Sequence, residues 1–295
     1  MKSFFPSRQE QPVRVILVLL LVFSITINLL VDLIEGGLLI LNNCNIALSE
    51  ETMRKMCLDV SSEEVAEAAE TIHASPGELI TVLMVLNDYK VTSKDLTSLS
   101  GGEFIRMRNR LMRRKPDDFA RASKLYYALL DDLKEFPIPQ SQDKYPWVSY
   151  VDSWGNERTY GGERRHEGTD IMGKKNVAGI YPVLSVSDGT ITNMGWLELG
   201  GYRIGITSPN GIYYYYAHMA SYADLKEGDT VTAGQFLGFM GSTGYSKVEG
   251  TSGKFDVHLH FGVYIKDENG SETAINPYYL LKHLENKMLY YHYGL

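Results

Sequence analysis

The feature that most constrains the fold is a change in hydrophobic period at two prolines, Pro137 and Pro139. Before them, apolar residues recur every three or four positions, which is the period of an amphipathic helix. After them, glycine becomes frequent and Tyr, Val and Ile alternate with polar residues, which is typical of strands. The chain is therefore predicted to be an α+β protein. It has a small all-α domain over 45–136, a linker over 137–144, an antiparallel β domain over 145–285 and a C-terminal tail over 286–295.

The helical domain carries clear helix-start signals but no candidate catalytic group. Ser61 and Glu64 fit a capping box, and Ser75 and Glu78 fit a second one in front of another apolar stripe. The segment Asp117–Glu135 predicts a further helix that ends at the prolines. Because capping accounts for Glu78, we interpret this domain as a spacer or interaction domain.

An apolar run, Val15–Val31, lies near the N-terminus and contains no charged residue. Its length, about 17 residues, is at the short end of the transmembrane range. Basic residues precede it and acidic residues follow it, which predicts a cytoplasmic N-terminus over 1–14, a single-pass transmembrane anchor over 15–34 and an extracellular remainder. The alternative is a cleaved signal peptide, but no small-residue cleavage site follows the run. The downstream cysteines, Cys44 and Cys57, fit either a disulfide or two free thiols.

Residues with metal-binding chemistry are concentrated in the predicted β domain. Glycines precede His166, so the pair His166 and Asp170 is expected to meet through a loop and the strand that follows rather than on a helix. His258 and His260 are two apart, so in a strand they share one face, while the apolar residues between and beside them share the other. The same alternation predicts that His218 shares a face with Tyr214 and Tyr216.

The number and type of these residues favour a catalytic metal over a structural one. A structural zinc site closes its shell with four protein ligands, commonly including Cys, and no Cys lies in this domain. A catalytic zinc takes three protein ligands and leaves a position for water, so two of the five residues remain for protons or charge. A lone histidine such as His218 is more often a structural residue, and the pair His258 and His260 alone fits a structural role as well as a functional one. The residues do not say which of His258 and His260 is a ligand.

Together these motifs resemble the M23 metallopeptidases of the LytM and lysostaphin type, over roughly Tyr145–Leu281. The motifs that carry the resemblance are His166-x-x-x-Asp170, Tyr216-Ala217-His218, His258-x-His260 and the glycine-rich turn Gly241–Gly244. The resemblance implies that His166, Asp170 and His260 bind zinc and that His218 and His258 are catalytic. It also implies that Tyr160 contacts the substrate, which in this family is a peptide of bacterial peptidoglycan.

The resulting expectation is a membrane-anchored zinc endopeptidase that hydrolyses stem peptides or cross-bridges of peptidoglycan with a zinc-activated water. His258 would take the proton and His218 would stabilise the oxyanion. The alternative is a non-enzymatic, membrane-tethered regulator or scaffold that uses a peptidase-like domain to bind cell wall or a protein. A net charge of −7 without a long basic run argues against a nucleic-acid partner.

Overall fold

The computed structural model describes residues 10–43, 50–142, 147–266 and 272–293. Contacts divide the chain into two units, Met1–Asn45 and Ile46–Leu295. The first unit contains the helix α1, Glu10–Asn43, which includes the predicted anchor. No helix in the described part of the chain is long and apolar enough to cross a membrane, so the predicted span over 15–34 is not supported. Most of the predicted cytoplasmic segment, and Cys44, lie outside the described residues.

The second unit is mostly helical in its first part and consists mostly of strands in its second part. The helices are α2 (Glu50–Lys55), α3 (Ser62–Thr71), α4 (Pro76–Leu86), α5 (Ser93–Ser98), α6 (Gly101–Arg114), α7 (Pro116–Asp132) and α8 (Tyr278–Leu284), which a 3₁₀ turn (Glu285–Lys287) follows. The strands are β1 (Cys57–Asp59), β2 (Lys90–Thr92), β3 (Gln140–Ser141), β4 (Val148–Ser149), β5 (Glu157–Arg158), β6 (Arg164–Arg165), β7 (Thr169–Gly173), β8 (Pro182–Leu184), β9 (Gly189–Leu197), β10 (Gly201–Thr207), β11 (Tyr213–Tyr222), β12 (Thr230–Val231), β13 (Phe236–Met240), β14 (His258–Lys266), β15 (Glu272–Ile275) and β16 (Tyr290–Tyr291).

One of the two predicted capping boxes forms and the other does not. At the start of α3 the Glu64 N–H donates to Ser61 Oγ (3.1 Å) and the Ser61 N–H donates to Glu64 Oε2 (2.8 Å). At the start of α4 the Ser75 side chain makes no capping bond. Glu78 instead accepts from Arg108 of α6 at 2.7 and 2.9 Å, because a bidentate guanidinium is a stronger partner for a carboxylate than a backbone amide.

The helical region is not purely helical, because β1 and β2 form a short parallel pair that the sequence analysis did not predict. The C-terminal end of the helical region also packs closely on the β part. The backbone N–H groups of Lys134 and Glu135 donate to Val186 O, and the Lys134 ammonium lies 2.6 Å from Asp188 Oδ2.

The segment predicted as a linker continues this packing. Residues 136–139 are buried, and Pro137 O accepts a hydrogen bond from the Leu184 N–H at 2.8 Å. The strand β3 then pairs in parallel with β16. Residues 143–144 of this segment lie outside the described residues. The boundary between helical and β domains stays a prediction, and contacts group both parts in one compact unit.

A large sheet forms the second part, with the strand order β12-β9-β10-β11-β14-β7-β4, all neighbours antiparallel. Outside this order, β13 pairs with β11, and β15 pairs with β14. One face of the sheet carries the core, where Tyr214, Tyr216, Leu259 and Phe261 are completely buried or nearly so. The opposite face forms the floor of an open groove. Because neighbouring strands in this order are antiparallel, the predicted antiparallel β domain is confirmed.

Candidate active site

Three side chains converge at one point on the groove floor. His166 Nε2 lies 3.0 Å from Asp170 Oδ1 and 2.9 Å from His260 Nδ1, and His260 Nδ1 lies 3.0 Å from Asp170 Oδ1. Sheet register explains two of them, since His260 on β14 is the antiparallel partner of Asp170 on β7. The loop before β7 brings in His166, as the sequence predicted.

The three atoms form a triangle that suits a divalent metal ion. Three ligands of a tetrahedral Zn²⁺, each at 2.0–2.1 Å, are about 3.3 Å apart, close to the separations observed here. The His166 Nδ1–H donates to Ser153 O at 2.9 Å, so the Nε2 atom carries a lone pair directed at an anionic carboxylate oxygen. Two acceptors facing each other need a cation between them. Two imidazoles and a carboxylate are also a ligand set that catalytic zinc uses.

His218 and His258 lie beside this triangle, each oriented by a backbone carbonyl. The His218 Nδ1–H donates to Thr243 O at 2.7 Å, and the His258 Nδ1–H donates to Asp256 O at 2.8 Å. Their rings are 4.7 Å apart between centroids. His258 Nε2 is 3.8 Å from Asp170 Oδ1, farther than either atom of the triangle. In both neutral rings the free Nε2 lone pair is therefore left to accept a proton.

The position of His218 differs from the sequence prediction. Regular alternation along β11 would put it with Tyr214 and Tyr216, which are buried in the core. Instead, His218 adopts a left-handed φ of 63°, and the pairing of β10 with β11 shifts register at this point. The result is a β-bulge in which Ala217 and His218 together oppose Arg203, and the bulge turns the imidazole into the groove.

Burial and the neighbouring charges set the ionisation of the site. Burial raises the pKa of Asp170, but its close contacts with the imidazoles of His166 and His260 outweigh that effect and hold the pKa well below its usual range. A cation, the Arg158 guanidinium, lies 2.6 Å from Asp170 Oδ2. Burial lowers the pKa of His218 and of His258, so both rings are neutral at pH 7.

The groove around these residues has a volume of about 630 Å³. The residues that line it also include Tyr245, Phe255, Arg203 and Tyr264. None of these residues, nor Arg158, was identified from the sequence. For Arg203 a signal exists, since it is a charged residue within the otherwise apolar strand β10.

Tyr160, predicted to contact substrate, lies in the turn between β5 and β6. Its ring stacks on that of Tyr245 with centroids 4.2 Å apart, and its hydroxyl donates to Tyr245 O. The side chain is 38% exposed, and it buttresses a wall residue of the groove.

A β domain with a His-Asp-His triangle and two further histidines in a groove defines a metallopeptidase-like class of site. Comparison with known proteins specifies the family. Residues 164–277 match the model of Peptidase family M23. The fold also matches the crystal structure of a lytM protein from Ruminococcus gnavus with a TM-score of 0.65 and 41% identity, over 83% of this chain and 94% of that one. The chain therefore belongs to peptidase family M23.

Two curated relatives match part of the chain. The L-Ala--D-Glu endopeptidase of Bacillus subtilis is 42% identical over 144 residues, which are 48% of this chain and 41% of that protein. The glycyl-glycine endopeptidase ALE-1 of Staphylococcus capitis is 37% identical over 119 residues, which are 40% and 29% of the two chains. The chain thus spans less than half the length of either relative.

Proposed function

We propose that this protein is a zinc-dependent endopeptidase that hydrolyses peptide bonds in the stem peptides or cross-bridges of bacterial peptidoglycan. The observation that carries the proposal is the convergence of His166, Asp170 and His260 within 3.0 Å of one another, with His218 and His258 beside them in an open groove. A regulator that only binds would not require this complete set. The non-enzymatic alternative is therefore disfavoured.

His166, Asp170 and His260 would hold the metal ion through Nε2, Oδ1 and Nδ1. When bound, Zn²⁺ supplies a Lewis acid that polarises a carbonyl and lowers the pKa of water. The hydrogen bond from the His166 Nδ1–H to the backbone carbonyl oxygen of Ser153 fixes the tautomer of the imidazole and leaves Nε2 free. The guanidinium of Arg158 engages the other oxygen of Asp170, which leaves Oδ1 as the atom directed at the metal position.

His258 is suited to accept a proton from the attacking water. Its Nδ1–H is committed to Asp256 O, so its Nε2 atom is the acceptor, and that atom faces the triangle. The lowered pKa keeps the ring neutral at pH 7, the state that a general base requires. The proton that His258 gains would then be available for the leaving amine.

The role of His218 needs one refinement of the sequence prediction. Because the Nδ1–H of His218 donates to Thr243 O, a neutral ring has no N–H at Nε2 to offer an oxyanion. His218 can stabilise the tetrahedral oxyanion only after it has itself been protonated. Both catalytic histidines would therefore exchange protons during turnover.

Peptidoglycan lies outside the cytoplasmic membrane, so we propose an extracellular location for the catalytic part. The relatives are named for two different bonds, L-Ala–D-Glu and glycyl-glycine, so stem peptides and cross-bridges both stay within the proposal at this level. Protease treatment of intact protoplasts should degrade the part after residue 46. Complete protection would contradict the proposed location.

The test of the enzymatic proposal is digestion of purified peptidoglycan by the full chain, with zinc content measured on the same sample. We expect about one zinc per chain and new amino termini in the released fragments, identified by mass spectrometry. The His258→Ala protein, loaded with zinc, is the matched control and should release few fragments. Zinc-loaded wild-type protein that binds peptidoglycan without cleaving it would instead support the regulator or scaffold.

A further inference from the structure

Arg203 lies on the groove floor at a position fixed by the register of the sheet. Its neighbour Ile204 is completely buried on the core face, so Arg203 faces the groove. Ala217 on β11 pairs with the metal-binding candidate His260 on β14, and the bulge at Ala217 and His218 opposes Arg203 on β10. Neighbouring strands are about 4.8 Å apart, so the backbones of Arg203 and His260 are separated by roughly 10 Å across the sheet. The small side chain of Ala217 lies between them.

The guanidinium of Arg203 has no carboxylate partner within the described part of the chain. Its Nη1 atom is buried and makes no hydrogen bond. Arg158, another arginine of the groove, uses its guanidinium on Asp170 and is not available in this way. A buried guanidinium N–H without an acceptor is costly, and an arginine in a ligand groove removes that cost when a ligand supplies the acceptor.

The surroundings of Arg203 supply hydroxyl donors as well as a carboxylate of the groove lining, Glu272. Tyr213 and Tyr215 line the same part of the groove. Burial raises the pKa of Tyr213 to about 12 and raises the pKa of Tyr215 well above its usual value, and the charge of Arg203 partly offsets both shifts. Both phenols are therefore protonated hydrogen-bond donors at pH 7. An arginine with adjacent hydroxyl donors and an aromatic wall is a suitable site for a carboxylate.

We propose that Arg203 is a specificity-determining residue that binds a free carboxylate of the substrate near the bond that is cleaved. The proposal rests on the proposed endopeptidase function and narrows its substrate to an acidic stem peptide. A cross-bridge made only of glycine offers no side-chain carboxylate, so it would leave the buried guanidinium unpaired.

The experiment uses the zinc-loaded full chain and two soluble stem peptides that differ in one group, a free carboxylate on the glutamyl residue in one and a carboxamide in the other. Pentaglycine with an amidated C-terminus, which carries no carboxylate, is the third substrate. The variants are Arg203→Gln, Arg203→Lys and Lys226→Gln. Lys226 is an exposed cation of the same β part that does not line the groove, so its replacement matches the change in net charge.

We expect wild-type protein to prefer the carboxylate peptide by about 10- to 100-fold in kcat/KM, since charge-assisted hydrogen bonds have this strength. Arg203→Gln should abolish the preference mainly by raising KM for the carboxylate peptide, and should leave the carboxamide peptide nearly unchanged. Arg203→Lys should keep part of the preference, and Lys226→Gln should keep all of it. Thermal unfolding and zinc content of each variant establish that the site is intact.

Three results would overturn the inference. One is equal cleavage of the two stem peptides by wild-type protein, and another is an equal loss on both in Arg203→Gln protein that retains zinc. The third is cleavage of pentaglycine in preference to either stem peptide. In each case the endopeptidase function would still stand. If zinc-loaded wild-type protein cleaves none of the substrates, the proposed function itself fails.

If the Arg203→Gln protein does not fold, a binding measurement on the His258→Ala variant tests the inference about Arg203 instead. Zinc-loaded His258→Ala protein keeps Arg203 and should bind the carboxylate peptide about 10- to 100-fold more tightly than the carboxamide peptide by calorimetry. Equal affinities would exclude Arg203 as a carboxylate site.

Discussion

The helical part and the β part of the second unit both contain charged groups, but they use them differently. In the helical part, Glu64 caps α3 and Glu78 pairs with Arg108, so each carboxylate has a structural partner. In the groove of the β part, His166, Asp170 and His260 direct their lone pairs at one another. Such an arrangement is explained by a bound ligand rather than by stability. Among the described residues, the comparison places the candidate catalytic groups in the β part, so substitutions in the two parts should separate activity from stability.

The largest expected effect comes from Asp170→Ala. This change removes the only anionic group of the proposed ligand set, so zinc affinity and activity should both fall to near background. Zinc content after gel filtration and release of peptidoglycan fragments would be measured together. Asp224→Ala, which removes an exposed carboxylate from a loop of the same part, should change neither. An Asp170→Ala protein with full zinc content would remove Asp170 from the ligand set.

His258→Ala should separate metal binding from turnover. We expect zinc to stay bound and kcat to fall by about 10²–10⁴, the usual contribution of a general base. The pH profile sharpens this test. Because burial lowers the pKa of His258, the ring is neutral at pH 7, and activity should decline only in acid, below the usual histidine pKa of about 6.5. If His258→Ala loses zinc and His260→Ala keeps it, the two roles are exchanged.

His218 is tested by comparing two replacements. His218→Ala should lower kcat by about 10²–10³ if this side chain stabilises the oxyanion. His218→Asn introduces an amide N–H that donates without being protonated, so it should recover part of that loss if donation is the role. Equal losses in the alanine and asparagine proteins would point to proton transfer instead. Zinc content should stay unchanged in both.

Arg158→Gln tests how far the active site extends beyond the residues that touch the metal position. Its guanidinium lies 2.6 Å from Asp170 Oδ2, so removing its charge should loosen the carboxylate and cost about 10–100-fold in zinc affinity or activity. Competition with a metal chelator would measure the affinity. An unchanged affinity together with unchanged activity would make Arg158 a purely structural partner of Asp170.

The alternation of side chains along a strand predicts the parts of this site that lie on undisturbed strands. His258 and His260 share a face of β14 because alternation is undisturbed there, and the pairing of His260 with Asp170 continues it into β7. His218 was misplaced because its left-handed φ of 63° inserts a bulge that no glycine or proline announces. Its geometry depends on bonds to Gly200 and Thr243, which are distant in sequence.

Long-range partners account for the other discrepancies too. Glu78 was assigned to a cap because capping is a local rule, whereas its actual partner, Arg108, is 30 residues away on another helix. Pro137 was assigned to a linker because proline interrupts helices, but tertiary packing buries it against β8. Local rules predict several of the elements, and only the fold shows which polar groups meet.

The smallest expected effect comes from Glu78→Gln in the helical part. The Glu78 and Arg108 side chains are 22% and 32% exposed, so their ion pair is partly screened by solvent and should contribute about 1 kcal/mol or less to the free energy of unfolding. Because Glu78 lies outside the groove, kcat/KM on peptidoglycan fragments should not change. Urea unfolding of the full chain and turnover would be measured side by side, with Arg108→Gln as the partner variant. Loss of activity in folded, zinc-loaded Glu78→Gln protein would break the comparison, since it would make a carboxylate of the helical part a participant in the chemistry.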